Sequence, residues 1–265
     1  MMLSPVLHRF SRPRTIVLAA TIIAVVASVF ACTDISSDPH TVLSLQFDSL
    51  PAPGVAVGDT LRDTLGVVAR PVVHAFNYQG DEIIPAPVFF LSPDTGVTVD
   101  SATGVIVGDS LRATPARVVA NIGTLQAIQK VTVTLRPDTI AAVNAVDSIL
   151  YSFTGDTKPS AALTVSLKHG TAPADSAVQA WIVSFAIVSQ HKPGLVELVN
   201  EAGKPSVIDT TDASGIAGRQ VRLHPVNLDS STQTDTVVVN ASARYRGALV
   251  KGSPVRLVVV FKPAS

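Results

Sequence analysis

An apolar segment at residues 15–32 constrains this chain more than any other feature of its sequence. Three arginines and no acidic residue precede it. A basic leader, an apolar run and a following group of small residues are typical of a secretory signal peptide, which is removed on export. The segment ends at Cys32, the only cysteine in the chain. No intrachain disulfide can therefore form, so the exported part must fold on apolar cores alone.

The end of this segment, Val29-Phe30-Ala31-Cys32, resembles the lipobox of bacterial lipoproteins. Val29 and Ala31 match that pattern, whereas Phe30 departs from the small residue that the family prefers there. The resemblance implies a signal peptide over residues 1–31 and transfer of diacylglycerol to the thiol of Cys32. It also implies palmitate labelling, attachment to a membrane through this lipid, and a location in the bacterial cell envelope.

Two other interpretations of the segment stay open at this point. It could be an uncleaved membrane anchor, although residues 15–31 are short beside the roughly 20 apolar residues usual for a bilayer span. It could also be a signal peptide that is cut elsewhere, which would leave Cys32 as a free thiol in an oxidising compartment. If Cys32 is lipidated, Thr33 follows it in place of aspartate, and resemblance to proteobacterial sorting then favours the outer membrane or cell surface.

The rest of the composition predicts strands. Valine and threonine are frequent, and their branched Cβ atoms suit a pleated, half-buried surface. Proline and glycine recur at short intervals, and many short strands between turns are typical of a sandwich or barrel. The formal net charge is zero, and the charges are scattered, so we expect no nucleic-acid partner. The predicted fold class is all-β, with two tandem immunoglobulin-like β-sandwiches after the lipoprotein signal peptide.

Residues 32–40 are small and polar, and they predict a lipidated tether between membrane and fold. The first sandwich is predicted over residues 41–137, where apolar alternation begins with Leu43, Leu45 and Phe47. Its turn motifs resemble those of group 2 bacterial immunoglobulin-like domains: Val57-Gly58-Asp59-Thr60, Leu91-Ser92-Pro93-Asp94 and Ala102-Thr103-Gly104-Val105. That family is found in surface and adhesin-like proteins, and the resemblance implies a sandwich without shared catalytic residues.

The second sandwich is predicted over residues 138–265, after the proline that ends the preceding strand. Residues 209–217 resemble the hairpin of invasin- and intimin-type immunoglobulin-like domains. Trp181 begins an apolar face that continues through Val183, Phe185 and Ile187, so we expect its indole to fill the core between two sheets. The functional alternative is an exposed Trp181 that serves as a sugar platform.

One motif carries an enzymatic alternative. Gly108-Asp109-Ser110-Leu111 has the letters of the nucleophile block of GDSL hydrolases, so an esterase using Ser110 is a remote candidate function. That family also needs an Asp-x-x-His block and a Gly-x-Asn-Asp block, and the sequence contains neither. Gly58-Asp59-Thr60-Leu61 is a near copy, and both predict turn-to-strand entries.

No cofactor or metal site is predicted. The histidines lack metal-ligand spacing and are expected at the surface or at strand edges. Four aspartates at predicted turns offer oxygen ligands suited to calcium, although turn formation is the commoner role of such residues: Asp94, Asp100, Asp209 and Asp212. We therefore expect a non-catalytic, membrane-anchored envelope lipoprotein that acts as a structural or adhesion-like surface module. The alternative is a module that binds a glycan or protein.

Overall fold

The computed structural model describes residues 38–153, 159–230 and 233–264. The predicted signal peptide, Cys32 and most of the tether lie outside these residues. The described chain is all-β, apart from one 3₁₀ turn at Pro225–Asn227. Within it, no helix is long and apolar enough to cross a membrane.

Eight strands form the first sandwich. They are β1 (Ser44–Phe47), β2 (Gly54–Ala56), β3 (Val73–Phe76), β4 (Phe89–Leu91), β5 (Val97–Val99), β6 (Ile106–Gly108), β7 (Ala116–Ile122) and β8 (Leu125–Thr134). One sheet has the order β2-β8-β7-β4, in which β2 runs parallel to β8. The antiparallel pairs β1-β3 and β5-β6 complete the unit.

The core of the first sandwich is formed by side chains on alternating strand positions. Val131 and Val133 of β8 are buried, as the alternation predicts, and so is Phe47 at the end of β1. They pack with other apolar residues that include Val55, Leu61, Phe90, Ile106 and Val118. Burial of each such side chain contributes about 1.5–3 kcal/mol relative to exposure.

Within the described residues, twelve strands form the second sandwich. They are β9 (Thr139–Asn144), β10 (Val146–Tyr151), β11 (Leu163–His169), β12 (Ser176–Ala177), β13 (Ile182–Ser189), β14 (Val196–Val199), β15 (Ile208–Thr210), β16 (Ile216–Leu223), β17 (Asp235–Ser242), β18 (Arg244–Tyr245), β19 (Ala248–Leu249) and β20 (Val255–Pro263). One sheet contains β9, β11, β16 and β14, with the short β12 also on β11. The other has the order β10-β20-β17-β13-β15.

This strand order is that of an immunoglobulin-like sandwich. The first strand is divided between the sheets, because β9 pairs with β11 whereas β10 runs parallel to the last strand, β20. The two sheets then correspond to the ABED and CFG sheets of that fold. The prediction of an all-β, immunoglobulin-like fold is therefore confirmed.

The second core also follows the predicted alternation. Leu163, Val165 and Leu167 of β11 are fully buried, and they face the equally buried Leu257, Val259 and Phe261 of β20 within one apolar cluster. Val183 and Phe185 of β13 belong to the same cluster. A period of two along each strand is enough to predict such a face, since successive side chains point to opposite sides.

Two local predictions are wrong. Residues 209–217 form a turn but not a hairpin, because β15 pairs with β13 while β16 pairs with β11 and β14. Gly58-Asp59 is a turn that leads into the pairing of Thr60 with Val107, as predicted, whereas Gly108-Asp109 stands at the exit of β6. The two copies bond to each other through the Gly58 N–H and the Gly108 carbonyl at 2.7 Å.

The sandwiches are joined end to end. His40 lies beside the β7–β8 turn, at the end of the first sandwich where the described chain enters. The opposite end of β8 leads to Leu135, which packs on the core of the second sandwich. Strands β10 and β20 then run parallel away from this junction, so the described chain ends near Tyr151, whose carbonyl accepts from the Ala264 N–H at 2.8 Å.

Candidate functional site

The junction between the sandwiches contains a connected set of charges. Its centre is Asp59, on the turn that follows β2, where Gly58 has a φ of 72°. The Asp59 side chain is only 4% exposed. Its carboxylate accepts hydrogen bonds from the backbone N–H of Thr60 at 2.9 Å and from Nε and Nη2 of Arg62 at 3.0 and 2.8 Å. This two-point contact holds the carboxylate in one orientation.

The second sandwich contributes a further cation to the same carboxylate. Arg246 lies in the turn between β18 and β19, and its Nε donates to Asp59 Oδ2 at 3.1 Å. Its guanidinium carbon also lies 5.3 Å from the ring centre of Tyr245, within cation–π range. Asp59 therefore binds one arginine from each sandwich, and Arg246 is 187 positions away from it in the sequence.

These contacts set the ionisation of the junction. Burial by itself raises the pKa of Asp59, but hydrogen bonds from Arg62 and Arg246 outweigh it, and the pKa is lowered from 3.8 to about 2. Burial likewise raises the pKa of the Tyr245 phenol, and the negative charge of Asp59 adds to that shift. At neutral pH the junction therefore holds an ionised carboxylate between two guanidinium groups.

Trp181 belongs to this junction and not to the centre of the core. It precedes β13, it is half-buried, and its ring lies 6.1 Å from that of Tyr245. Its indole Nε1–H donates to the carbonyl of Arg244 at 3.1 Å, and its backbone N–H donates to Oγ1 of Thr211 at 2.9 Å. Trp181 packs on the core of the second sandwich, as predicted, but it lies at the edge of that core and does not fill the space between the sheets, because the fully buried part of the alternating face starts at Val183.

The backbones of the two sandwiches approach closely around this cluster. A side chain at Gly54 would collide with the carbonyl oxygen of Ala180, and one at Gly66 would collide with the backbone of Gly247. Ile182 packs on the apolar core of the first sandwich. The crevice that remains has a volume of about 20 Å³, which is room for about one water molecule. The junction therefore holds the two sandwiches against each other with little free space between them.

Ser110 lies in a surface turn. The residue is exposed, and its N–H donates to the Gly96 carbonyl at 3.3 Å. Asp109, the preceding residue, accepts from Thr98 Oγ1 at 2.7 Å. In the same sandwich both ring nitrogens of His74 are occupied by acids, Glu82 at 2.6 Å and Asp48 at 3.3 Å, so this histidine is not a base for Ser110.

The four turn aspartates have protein partners. Asp100 accepts from the N–H of Thr103 at 2.7 Å and Asp212 from that of Ile216 at 2.9 Å, so both form the predicted turns. Asp94 pairs with Arg117 at 3.1 Å and Asp209 with Arg219 at 2.8 Å. In the parts of the chain that the structure describes, no group of three or more His, Cys, Asp or Glu side chains could hold a metal ion.

A second feature is an open groove on the second sandwich, beside β15 and β16, with a volume of about 480 Å³. Its polar lining includes Asn200, Glu201, Thr210, Asp212 and Gln220. Arg219 lies beneath it with its side chain 8% exposed, and bonds Asp209 and the hydroxyl of Ser206. Sequence reasoning missed both the groove and the junction, since neither has a local motif.

No protein-family model matches the chain, and no curated protein matches it. Among solved structures, domains 4 and 5 of the S-layer protein SbsC align with 84% of this chain and 99% of that chain, at 14% identity and a TM-score of 0.30. The EC1-2 fragment of human protocadherin-24 aligns with 85% of this chain and 99% of that chain, at 11% identity and a TM-score of 0.26. Likeness at this level assigns neither a function nor a partner to this chain, and the immunoglobulin-like assignment rests on the strand order described above.

Proposed function

We propose that this protein is a non-catalytic lipoprotein of the bacterial cell envelope, anchored through lipid on Cys32. Its two sandwiches, which we take to span residues 41–137 and 138–265, act as a stiff structural or adhesion-like module that extends from the membrane. The observation that carries the proposal is the junction, where a buried carboxylate is shared by both sandwiches and only about 20 Å³ of space remains.

A stiff connection has a physical basis in these contacts. Hydrogen bonds between ionised groups are roughly twice as strong as neutral ones, and three of them converge on Asp59. Close backbone packing at Gly54 and Gly66 leaves little room for one sandwich to rotate against the other. A spacer or adhesin must hold its far end at a defined distance from the membrane, which such a junction would do.

The lipid anchor is tested by replacing its acceptor. In cells labelled with palmitate, we expect the wild-type chain to incorporate label and to fractionate with membranes, in the outer membrane of a diderm host. Cys32→Ser should lose the label and become soluble while keeping its fold, because the lipid chains supply the membrane affinity. Label that persists in Cys32→Ser would contradict the proposal.

The groove on the second sandwich favours a glycan- or protein-binding module as the second candidate function. Its amide and carboxylate groups are suited to hydrogen bonds with sugar hydroxyls or a polar peptide. Binding to an envelope-glycan array that is lost in Gln220→Ala, but kept in the exposed control Gln126→Ala, would favour this candidate. Equal binding by both variants would count against it.

A further inference from the structure

The end of the first sandwich that lies away from the junction exposes an apolar surface. It is formed by the loop between β3 and β4 and by the turn between β7 and β8. We call this surface the apolar tip and define it as Ile84, Pro85, Pro87 and Leu125, which line one hollow, together with Phe89, the exposed first residue of β4, which pairs with Asn121 just before the β7–β8 turn. Ile84 is 78% exposed and Phe89 62% exposed. Contiguous exposed apolar groups of this kind mark interaction sites more often than single ones do.

The tip surrounds a shallow hollow at the point where the described chain begins. His40 and Val42 line the hollow together with Ile84 and Leu125. The chain that comes from Cys32 therefore enters the fold at the tip. The far end of the second sandwich, where Val226 is 82% exposed, lies at the other end of the molecule.

The length of chain before the fold limits how far the tip can be from a lipid on Cys32. Only residues 33–37 separate Cys32 from Asp38, the first described residue. A fully extended chain of that length spans at most about 20 Å. Lipid chains on Cys32 would be buried in the bilayer, so the tip could not move more than this distance from the headgroups.

The charges around the tip indicate which lipids it suits. Asp38, Asp81 and Glu82 are exposed at its edge, and Glu82 is paired with His74 at 2.6 Å. This acidic rim gives no attraction for anionic headgroups. The apolar side chains would instead insert between uncharged headgroups, and an aromatic ring such as Phe89 gains much buried area there.

We infer that the apolar tip docks on the surface of the bilayer that anchors Cys32, with Ile84 and Phe89 inserted among uncharged headgroups, so that the two sandwiches stand on the membrane at this end. The inference rests on the proposed lipidation of Cys32. The tether makes docking an intramolecular event with a high effective concentration, so a small apolar contact is sufficient. The tip then orients the stiff module as well as holding it.

The test relies on the fact that Cys32 is the only natural cysteine of the chain. Because lipid occupies the thiol of Cys32, a cysteine introduced elsewhere is the one free thiol of the mature, full-length protein. Ile84→Cys and the control Val226→Cys are each labelled with an environment-sensitive fluorophore and reconstituted in phosphatidylcholine and phosphatidylethanolamine vesicles. Half of the vesicles contain brominated acyl chains as quencher. Mass spectrometry of each preparation first establishes whether Cys32 carries lipid.

We expect the label at position 84 to shift to shorter wavelength and to lose most of its emission to the brominated lipid, with no change at position 226. Adding the substitution Phe89→Asp should reverse the change at 84 while the protein stays on the vesicles. Lipid on Cys32 with an unquenched label at 84, or equal quenching at both positions, would overturn the docking but leave the anchor intact. Absence of lipid on Cys32 would overturn the proposed anchor, and the docking with it.

Discussion

Replacing Asp59 by alanine should uncouple the two sandwiches as well as destabilise the first. The pKa of Asp59 is lowered from 3.8 to about 2, which corresponds to about 2.5 kcal/mol at about 1.4 kcal/mol per pKa unit. Removing one partner of a buried ion pair costs about 3–5 kcal/mol when the other partner stays buried. Arg62 and Arg246 are 20% and 53% exposed and can turn to water, so we expect a loss of about 2 kcal/mol.

Asp94→Ala is the matched control for this substitution. The pKa of Asp94 is also lowered to about 2, because Arg117 donates side-chain and backbone hydrogen bonds to it. All of its partners belong to the first sandwich. Its loss should therefore destabilise that sandwich while leaving the contact with the second one in place.

Scanning calorimetry of residues 33–265 distinguishes the two variants. We expect the wild type to unfold in one transition that includes both sandwiches, and Asp59→Ala to separate it into two. Asp94→Ala should shift the transition without dividing it. Asp59→Asn, which keeps the shape but not the charge, should resemble Asp59→Ala. If Asp59→Ala and Asp94→Ala give the same melting profile, the reasoning about the junction is refuted.

Three further outcomes are expected. Because the pKa of Asp59 is lowered in the folded state, the stability that its ionised carboxylate contributes is complete above about pH 4 and is lost as the pH falls towards 2. Lowering the pH should therefore divide the thermal unfolding transition of the wild type into two, and it should not separate the two transitions of Asp59→Ala any further. Trp181→Ala should remove the contact of the indole with Tyr245 and weaken the coupling between the two sandwiches. Phe261→Ala, at a fully buried site, should cost about 3–5 kcal/mol and unfold the second sandwich. If both substitutions lowered the stability of the second sandwich equally, Trp181 would be a core residue. Ser110→Ala should leave the fold unchanged and remove no activity on p-nitrophenyl esters; hydrolysis that stops with this substitution would contradict the non-catalytic proposal.

Much of the strand content could be predicted because its cause is local. Leu163, Val165 and Leu167 alternate with polar residues, so the strand has one apolar face, and that face must be buried to be removed from water. Turns could also be predicted where a glycine must adopt positive φ. Gly104, between β5 and β6, is an example, with a φ of 70°. These features depend on the nearest few residues, so a single sequence contains them.

The candidate site could not be predicted, because its residues are brought together only by the packing of the two sandwiches. Nothing near Asp59 in the sequence indicates a partner at Arg246, and its turn looks like any Gly-Asp turn. Trp181 was assigned to the core since its neighbours at every second position are apolar. The strand begins one residue later, at Ile182, so the indole lies at the edge of the second core, where it contacts Arg244 and Tyr245.

The central claim is that the sandwiches form one stiff, end-to-end module. The most direct test is the distance distribution between spin labels at the two ends, placed by Ile84→Cys and Val226→Cys in a Cys32→Ser chain and measured by double electron–electron resonance. The junction of Asp59 with Arg62 and Arg246 predicts one narrow distance peak, which broadens when Asp59 is replaced by alanine. A broad distribution in the chain with an intact junction, unchanged by that replacement, would contradict the claim.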